Sequence, residues 1–220
     1  MPTDRTDPAP DLAPEQTQDQ ILEQTLAAVR ACRVCAAHLP HEPRPVVRLA
    51  PTARILVMGQ APGRRVHETG VPWNDASGDR LRDWMGLDRD AFYDTAGIAI
   101  VPAGFCYPGT DARGGDRPPR PECAPLWHPR LKGFLTEIRL TILVGSYAQR
   151  LELGRARRTS LTETVRRWRE YGPDVIPLPH PSWRNTAWIR RNPWFEAELL
   201  PELRARVRQL VLNEPGDRQA

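Results

Sequence analysis

The sequence predicts an α/β domain, a three-layer sandwich with a central, mostly parallel four-stranded sheet between helical layers. Three observations carry this. Four short apolar runs, Ile55–Met58, 97–101, 141–144 and Val175–Leu178, lack the polar alternation of a half-exposed strand and read as strands buried on both faces. Amphipathic segments stand between them, and strands alternating with helices imply parallel pairing with helices on both sides. The length of 220 residues, 40% of them hydrophobic, suits one domain with a substantial core.

Residues 1–18, rich in Pro, Asp, Thr and Gln, read as a disordered tail, so the domain is expected over 19–213 with a second short tail at 214–220. A helix over 19–31 would present Ile21, Leu22, Leu26 and Val29 on one face and deliver Cys32 and Cys35 at its end. The Pro-punctuated stretch 38–53 reads as a loop wrapped over the body. After the first strand, Gly59, Pro62 and Gly63 force a backbone-exposing turn where open α/β sheets bind ligands. The loop then runs through Pro72, Trp73, Asn74 and Asp75 to a helix starting near Ser77, with Leu81, Trp84, Met85 and Leu87 as its apolar side.

After the second strand, residues 102–129 form a long irregular segment with seven prolines and four glycines, which needs something to pin it. A helix is expected over 131–138, then the third strand ending at Gly145 and a helix over 146–153. Residues 155–169 form a basic, exposed stretch whose apolar side is Leu161, Val165 and Trp168. The fourth strand runs into Pro179-His180-Pro181-Ser182-Trp183-Arg184-Asn185. A long terminal helix from Pro193 would carry Phe195, Leu199, Leu203, Val207 and Leu210 on one face.

No apolar run approaches the roughly 20 residues of a membrane span, and the N-terminus lacks a charged-then-apolar signal pattern, so a cytoplasmic, soluble monomer is expected. The net charge of +4 conceals an asymmetry: residues 1–20 hold five acids and only Arg5, leaving +8 on the remainder. Nearly all the positive charge is arginine, Lys132 being the only lysine. Arginine forks suit phosphate contacts, which permits nucleic acid as a partner without requiring it.

Four cysteines stand at 32, 35, 106 and 123, one close pair and two distant members. In an intracellular chain this suggests metal or cluster ligation rather than disulfides. A structural zinc is one reading. The wide separation of Cys106 and Cys123 in a Pro-rich loop suits an iron-sulfur cluster gathered from distant segments; cluster, zinc and no metal at all stand as readings at this point.

The four cysteines, the first motif Gly59-Gln60-Ala61-Pro62-Gly63, the T-G-x-P-aromatic segment at 69–73 and the second motif His180-Pro181-Ser182 together resemble the iron-sulfur branches of the uracil-DNA glycosylase superfamily. Neither Gln60 nor Ala61 is an acid, whereas Asp75-Ala76-Ser77-Gly78 resembles a segment of the branch whose first motif lacks one. The resemblance implies a three-layer α/β fold, a 4Fe-4S cluster held by Cys32, Cys35, Cys106 and Cys123, and hydrolysis of uracil, or another deaminated base, from DNA. On it, Trp73 would stack the flipped base, His180 would donate to the base anion, and Asp75 would orient or activate water and face the cationic sugar. Gln60 and Ala61 would contact the base or the water. Gly63, Arg64, Ser182, Trp183, Arg184 and Asn185 would meet the DNA, with Trp183 or Arg184 filling the gap left by the base. The competing class is a non-catalytic iron-sulfur protein that binds damaged DNA.

Overall fold

A computed structural model describes residues 16–212. Most of the tail expected over 1–18 lies outside these residues, as does all of 214–220. Helix α1 (Gln18–Arg30) starts one residue inside that expected tail, because Thr17 and Gln20 form a reciprocal capping box that satisfies its free N–H groups. It buries Leu22, Leu26 and Val29, whose i, i+4, i+7 spacing puts them on one face.

The remaining elements follow in order: β1 (Ile55–Met58), α2 (Arg64–Thr69), α3 (Ala76–Met85), α4 (Arg89–Tyr93), β2 (Ile98–Ile100), α5 (Cys123–Lys132), β3 (Leu140–Val144), α6 (Gly145–Leu153), α7 (Leu161–Arg166), β4 (Val175–Leu178), α8 (Thr186–Arg191) and α9 (Leu200–Leu212). The four strands form one sheet in the order β2-β1-β3-β4, every pair parallel. Strand side chains alternate between two cores. Ile55, Val57, Ile98, Ile100, Ile142 and Leu178 meet Leu81, Trp84, Phe92, Phe195, Leu203 and Val207 on one face. Leu56, Met58, Ala99 and Leu143 meet Leu22, Leu26, Val29, Trp127, Leu131 and Ala148 on the other. This is the predicted three-layer arrangement.

The loop 38–53 has a definite task. Arg48 bridges Ile100 in antiparallel sense, with N–H···O distances of 3.0 and 2.6 Å, and covers the edge that β2 would otherwise expose.

Five elements depart from the expectations. Helix α2, read as loop, is only six residues long and closes on Gly70 at φ +72°, too short for a periodic pattern. Helices α4 and α8 were missed for the same reason. Helix α5 begins inside the stretch expected to be irregular, and no helix spans 131–138. Its Pro125 falls in the first turn, where a missing N–H costs no bond, and the buried Trp127, His128 and Leu131 anchor the rest against Pro129. The chain turns at Gly133. The terminal helix opens with a π-type turn over Phe195–Leu199, where Pro201 lacks the N–H that would bond the Ala197 carbonyl.

Candidate active site and cysteine cavity

The chain leaves β1 towards β2 on one side and places β3 on the other, so the carboxyl ends of β1 and β3 form the switch point of the sheet. A cleft of about 260 Å³ opens there. Its wall brings together Gln60, Ala61, Gly63, Trp73, Asp75, His180, Ser182, Trp183 and Arg184 from segments far apart in sequence.

Gly59 ends β1 directly under the Trp73 indole; a Cβ there would stand 2.8 Å from Trp73 Cζ2. Trp73 itself is held in the left-handed region at φ +54°, unusual for a bulky residue and costing about 1–3 kcal/mol. The surroundings enforce it. The buried Arg82 donates to the Trp73 carbonyl at 3.1 Å, and Gly78 leaves room for that carbonyl, which a Cβ would meet at 1.7 Å. The Gly of the D-A-S-G segment is therefore required by the Trp73 turn.

The indole lies 5.7 Å from the His180 ring, tilted by 36°. Gly59→Ala is expected to push the indole aside and raise KM for a base-containing substrate about tenfold, given roughly 1–3 kcal/mol for base–aromatic stacking. Steady-state kinetics, with a thermal melt to confirm folding, checks this.

His180 follows β4 and is held by its own loop. The Ser182 N–H donates to His180 Nδ1 at 3.2 Å, so the neutral ring carries its proton on Nε2. Asn185 Nδ2 donates to the His180 carbonyl at 2.7 Å, which places Asn185 as an internal brace of the loop. Burial pushes the imidazole below its ordinary pKa, and the Asp75 charge opposes this. The ring is thus a neutral Nε2–H donor.

Asp75 has two placements at once. Its Oδ1 accepts the Gly78 N–H at 2.8 Å as the N-cap of α3, and the residue also lines the cleft near His180. Gln60 uses its amide to donate to the Arg117 carbonyl at 3.0 Å, tying the first motif to the loop that follows Cys106. Gly63 caps α2, and Arg64 on that helix is exposed beside Glu68 at 3.4 Å. Ser182 Oγ accepts the Arg184 N–H at 3.3 Å. Arg184 donates to the Gly114 carbonyl at 2.9 Å, whereas Trp183 projects outward, 75% exposed. Of the two residues considered for filling the gap in a duplex, Trp183 is the more exposed, its ring meeting the Arg184 guanidinium at 5.7 Å.

A family model described as the uracil DNA glycosylase superfamily matches residues 47–204. The chain belongs to this superfamily. The match covers the whole sheet and every cleft residue named above, and makes DNA glycosylase chemistry the frame for the cleft.

Sequence reasoning missed one cleft residue of this glycosylase-family chain, Asp116. It stands on the rim, exposed, between Gln60 and Arg184. Partial desolvation where it faces the cleft, and next the Asp75 charge, hold its carboxyl above the usual range. Only the G-G-D run inside a Pro-rich loop marks it in sequence, and nothing there says which way the loop folds.

Cys32, Cys35, Cys106 and Cys123 line a second cavity, between the end of α1, the loop after β2 and the start of α5. Among the described residues, no three His, Cys, Asp or Glu side chains are drawn together tightly enough to hold a metal ion. The four thiols nevertheless share one enclosure. The Phe105 N–H donates to Cys123 Sγ at 3.3 Å and Trp127 Nε1–H to Cys32 Sγ at 3.4 Å. Burial pushes the Cys106 thiol up to about 11 and the Cys123 thiol up to about 12, so without a bound cation both stay protonated at neutral pH. By donor type and enclosure the four thiols are suited to a thiolate-bound metal or cluster. Backbone ties the walls of the two cavities: Ala103 and Gly104 donate to the Gly59 and Gln60 carbonyls at 2.9 Å, so the first motif and the cysteine loop share a backbone ladder.

Proposed function

We propose that the chain hydrolyses the N-glycosidic bond of uracil, and by the same chemistry of other deaminated bases, in DNA, leaving an abasic site. The observation that carries the reading is the neutral His180 Nε2–H donor beside the Trp73 ring, with Asp75 in the same cleft. Breaking the C1′–N bond puts negative charge on the base and positive charge on the sugar. A fixed donor aimed at the base anion stabilises the first, and the Asp75 carboxylate faces the second.

Trp73 supplies the stacking face for a flipped base, and backbone around Gln60 and Ala61 borders its edge. Trp183 enters the space that the base vacates, and Arg64 with the other exposed arginines neutralises phosphates. The reaction is monofunctional. The one lysine that could form a Schiff base with the abasic site, Lys132, is paired with Glu152 at 2.6 Å on α5, outside the cleft, which supports this reading.

Cys32, Cys35, Cys106 and Cys123 would hold a 4Fe-4S cluster, with structural zinc as the alternative. Such a group would tie α1 to the loop after β2 and to α5, a structural service to the first motif. The protein acts as a monomer. Among the described residues no helix is long and apolar enough to cross a membrane.

The test is abasic-site formation on oligonucleotides carrying one uracil, hypoxanthine or xanthine, single-stranded and paired. Asp75→Asn is the accompanying variant, because asparagine keeps the helix cap and removes only the charge. It is expected to lower base release about 10²-fold or more with an unchanged melting temperature, within the range for such catalytic groups. The second reading, a damage-binding protein without catalysis, is favoured by the absence of an acid at Gln60 and Ala61. Tight binding with no base release from any of these DNAs would establish it.

A further inference from the structure

One carboxylate of the cleft has no part in the chemistry above. Asp116 sits on a short segment that several unrelated contacts hold in place. The Gln60 amide donates to the Arg117 carbonyl at 3.0 Å and reaches the Asp116 carbonyl at 3.5 Å. The Arg184 guanidinium donates to the Gly114 carbonyl at 2.9 Å, and Asp111 Oδ1 accepts from the Arg113 and Gly115 N–H groups at 2.8 and 2.9 Å. A bridge pairs Thr110 with Asp116.

All of this fixes backbone. The Asp116 carboxylate itself makes no hydrogen bond or ion pair among the described residues. Asp75, by contrast, has Oδ1 committed to the Gly78 N–H. A loop so firmly anchored, ending in a free carboxylate on the cleft wall, is built to present that group to a ligand.

We infer that Asp116 takes the proton from the attacking water, while Asp75 faces the developing cation on the sugar. This rests on the glycosylase reading and divides its labour. The water oxygen forms its bond to C1′ as the C1′–N bond breaks. The bonding pair leaves with the base, the water proton passes to Asp116, and the base anion held by His180 takes a proton from solvent on release. A cleft carboxyl held above the usual range with a second carboxylate in the same cleft is a recurring sign of such divided roles. Facing Asp116 are Asp75 from the start of α3, His180 and Arg184 from the loop after β4, and Asp111 from its own loop; Asp75 and Asp111 favour proton uptake and Arg184 opposes it. DNA seated over the cleft would remove the rim from water and strengthen the first effect.

The experiment is single-turnover base release between acidic and neutral pH by wild type, Asp116→Asn and Asp116→Glu, with thermal melts of each. In parallel, affinity is measured for an oligonucleotide carrying a non-hydrolysable uracil nucleotide. Wild type is expected to slow as pH falls through an acidic limb. Asp116→Asn should lose that limb and release base about 10²–10³-fold more slowly at neutral pH, with affinity and melting temperature unchanged. Asp116→Glu should keep the limb and part of the rate. Release by Asp116→Asn within threefold of wild type, or with the limb intact, overturns the assignment while leaving the glycosylase reading in place. Wild type that releases no base from any oligonucleotide overturns the glycosylase reading, and this role with it.

Discussion

Replacing His180 with alanine is expected to slow base release by about 10²–10³-fold while leaving affinity for uracil-containing DNA within a few fold, the effect of deleting one fixed donor to a developing anion. The argument rests on the proton. Because the Ser182 N–H occupies Nδ1, the Nε2–H is the only donor the neutral ring can offer, and the Trp73 ring beside it limits how that donor can turn. An interaction that forms only as charge leaves the sugar lowers kcat and kcat/KM together, so single-turnover rates and KM, measured side by side, check the assignment. A KM increase with kcat unchanged would instead make His180 a ground-state contact.

The same burial sets a pH dependence of stability. The folded pKa of His180 lies below its unfolded value, so the neutral ring costs nothing above about pH 6.5, and stability is lost as pH falls from there through the folded pKa. His128, buried on α5 with its pKa also pushed down by burial, adds to the loss in the same direction. Equilibrium unfolding of wild type and His180→Ala across this window should show a shallower acid loss in the variant.

The second large effect is expected at the cysteines. Wild type purified without oxygen should be brown, with iron and sulfide in equal amounts. Cys123→Ser should be colourless and melt about 10 °C lower, from a loss of about 3 kcal/mol at roughly 2–4 °C per kcal/mol for a chain of this size. The reason is geometric: Cys123 opens α5 while Cys32 follows α1, so a ligated group joins two helices to the loop of Cys106. Base release should fall as well, because the Ala103 and Gly104 N–H groups connect that loop to the Gly59 and Gln60 carbonyls. Stoichiometric zinc in a colourless wild type would replace the cluster by the other ligation reading, with the same thermal consequence.

The parallel sheet was legible because each strand is buried on both faces and writes an unbroken apolar run. Ile55–Met58 and Val175–Leu178 fall at the expected residues, and the two others differ by one residue at their ends. The His180 loop and the place of Asp75 just before a helix start were legible because local rules mark them: a strand end followed by prolines, and a carboxylate before an apolar helical face. The short helices α2, α4 and α8 escaped because five or six residues cannot display a period of 3.6.

What the sequence by itself determined is thus the local part: strands, most of the longer helices, the first motif, the His180 loop and the spacing of the four thiols. Tertiary structure alone decided which of these meet. The left-handed Trp73, braced by Arg82 and admitted by Gly59 and Gly78, depends on contacts between segments that no short-range pattern encodes. Asp116 reaches the cleft only because Gln60 and Arg184, from opposite ends of the chain, hold its loop there. Loop direction is set by these long-range bonds rather than by propensity, and for that reason the second carboxylate of the site came to light only in the folded chain.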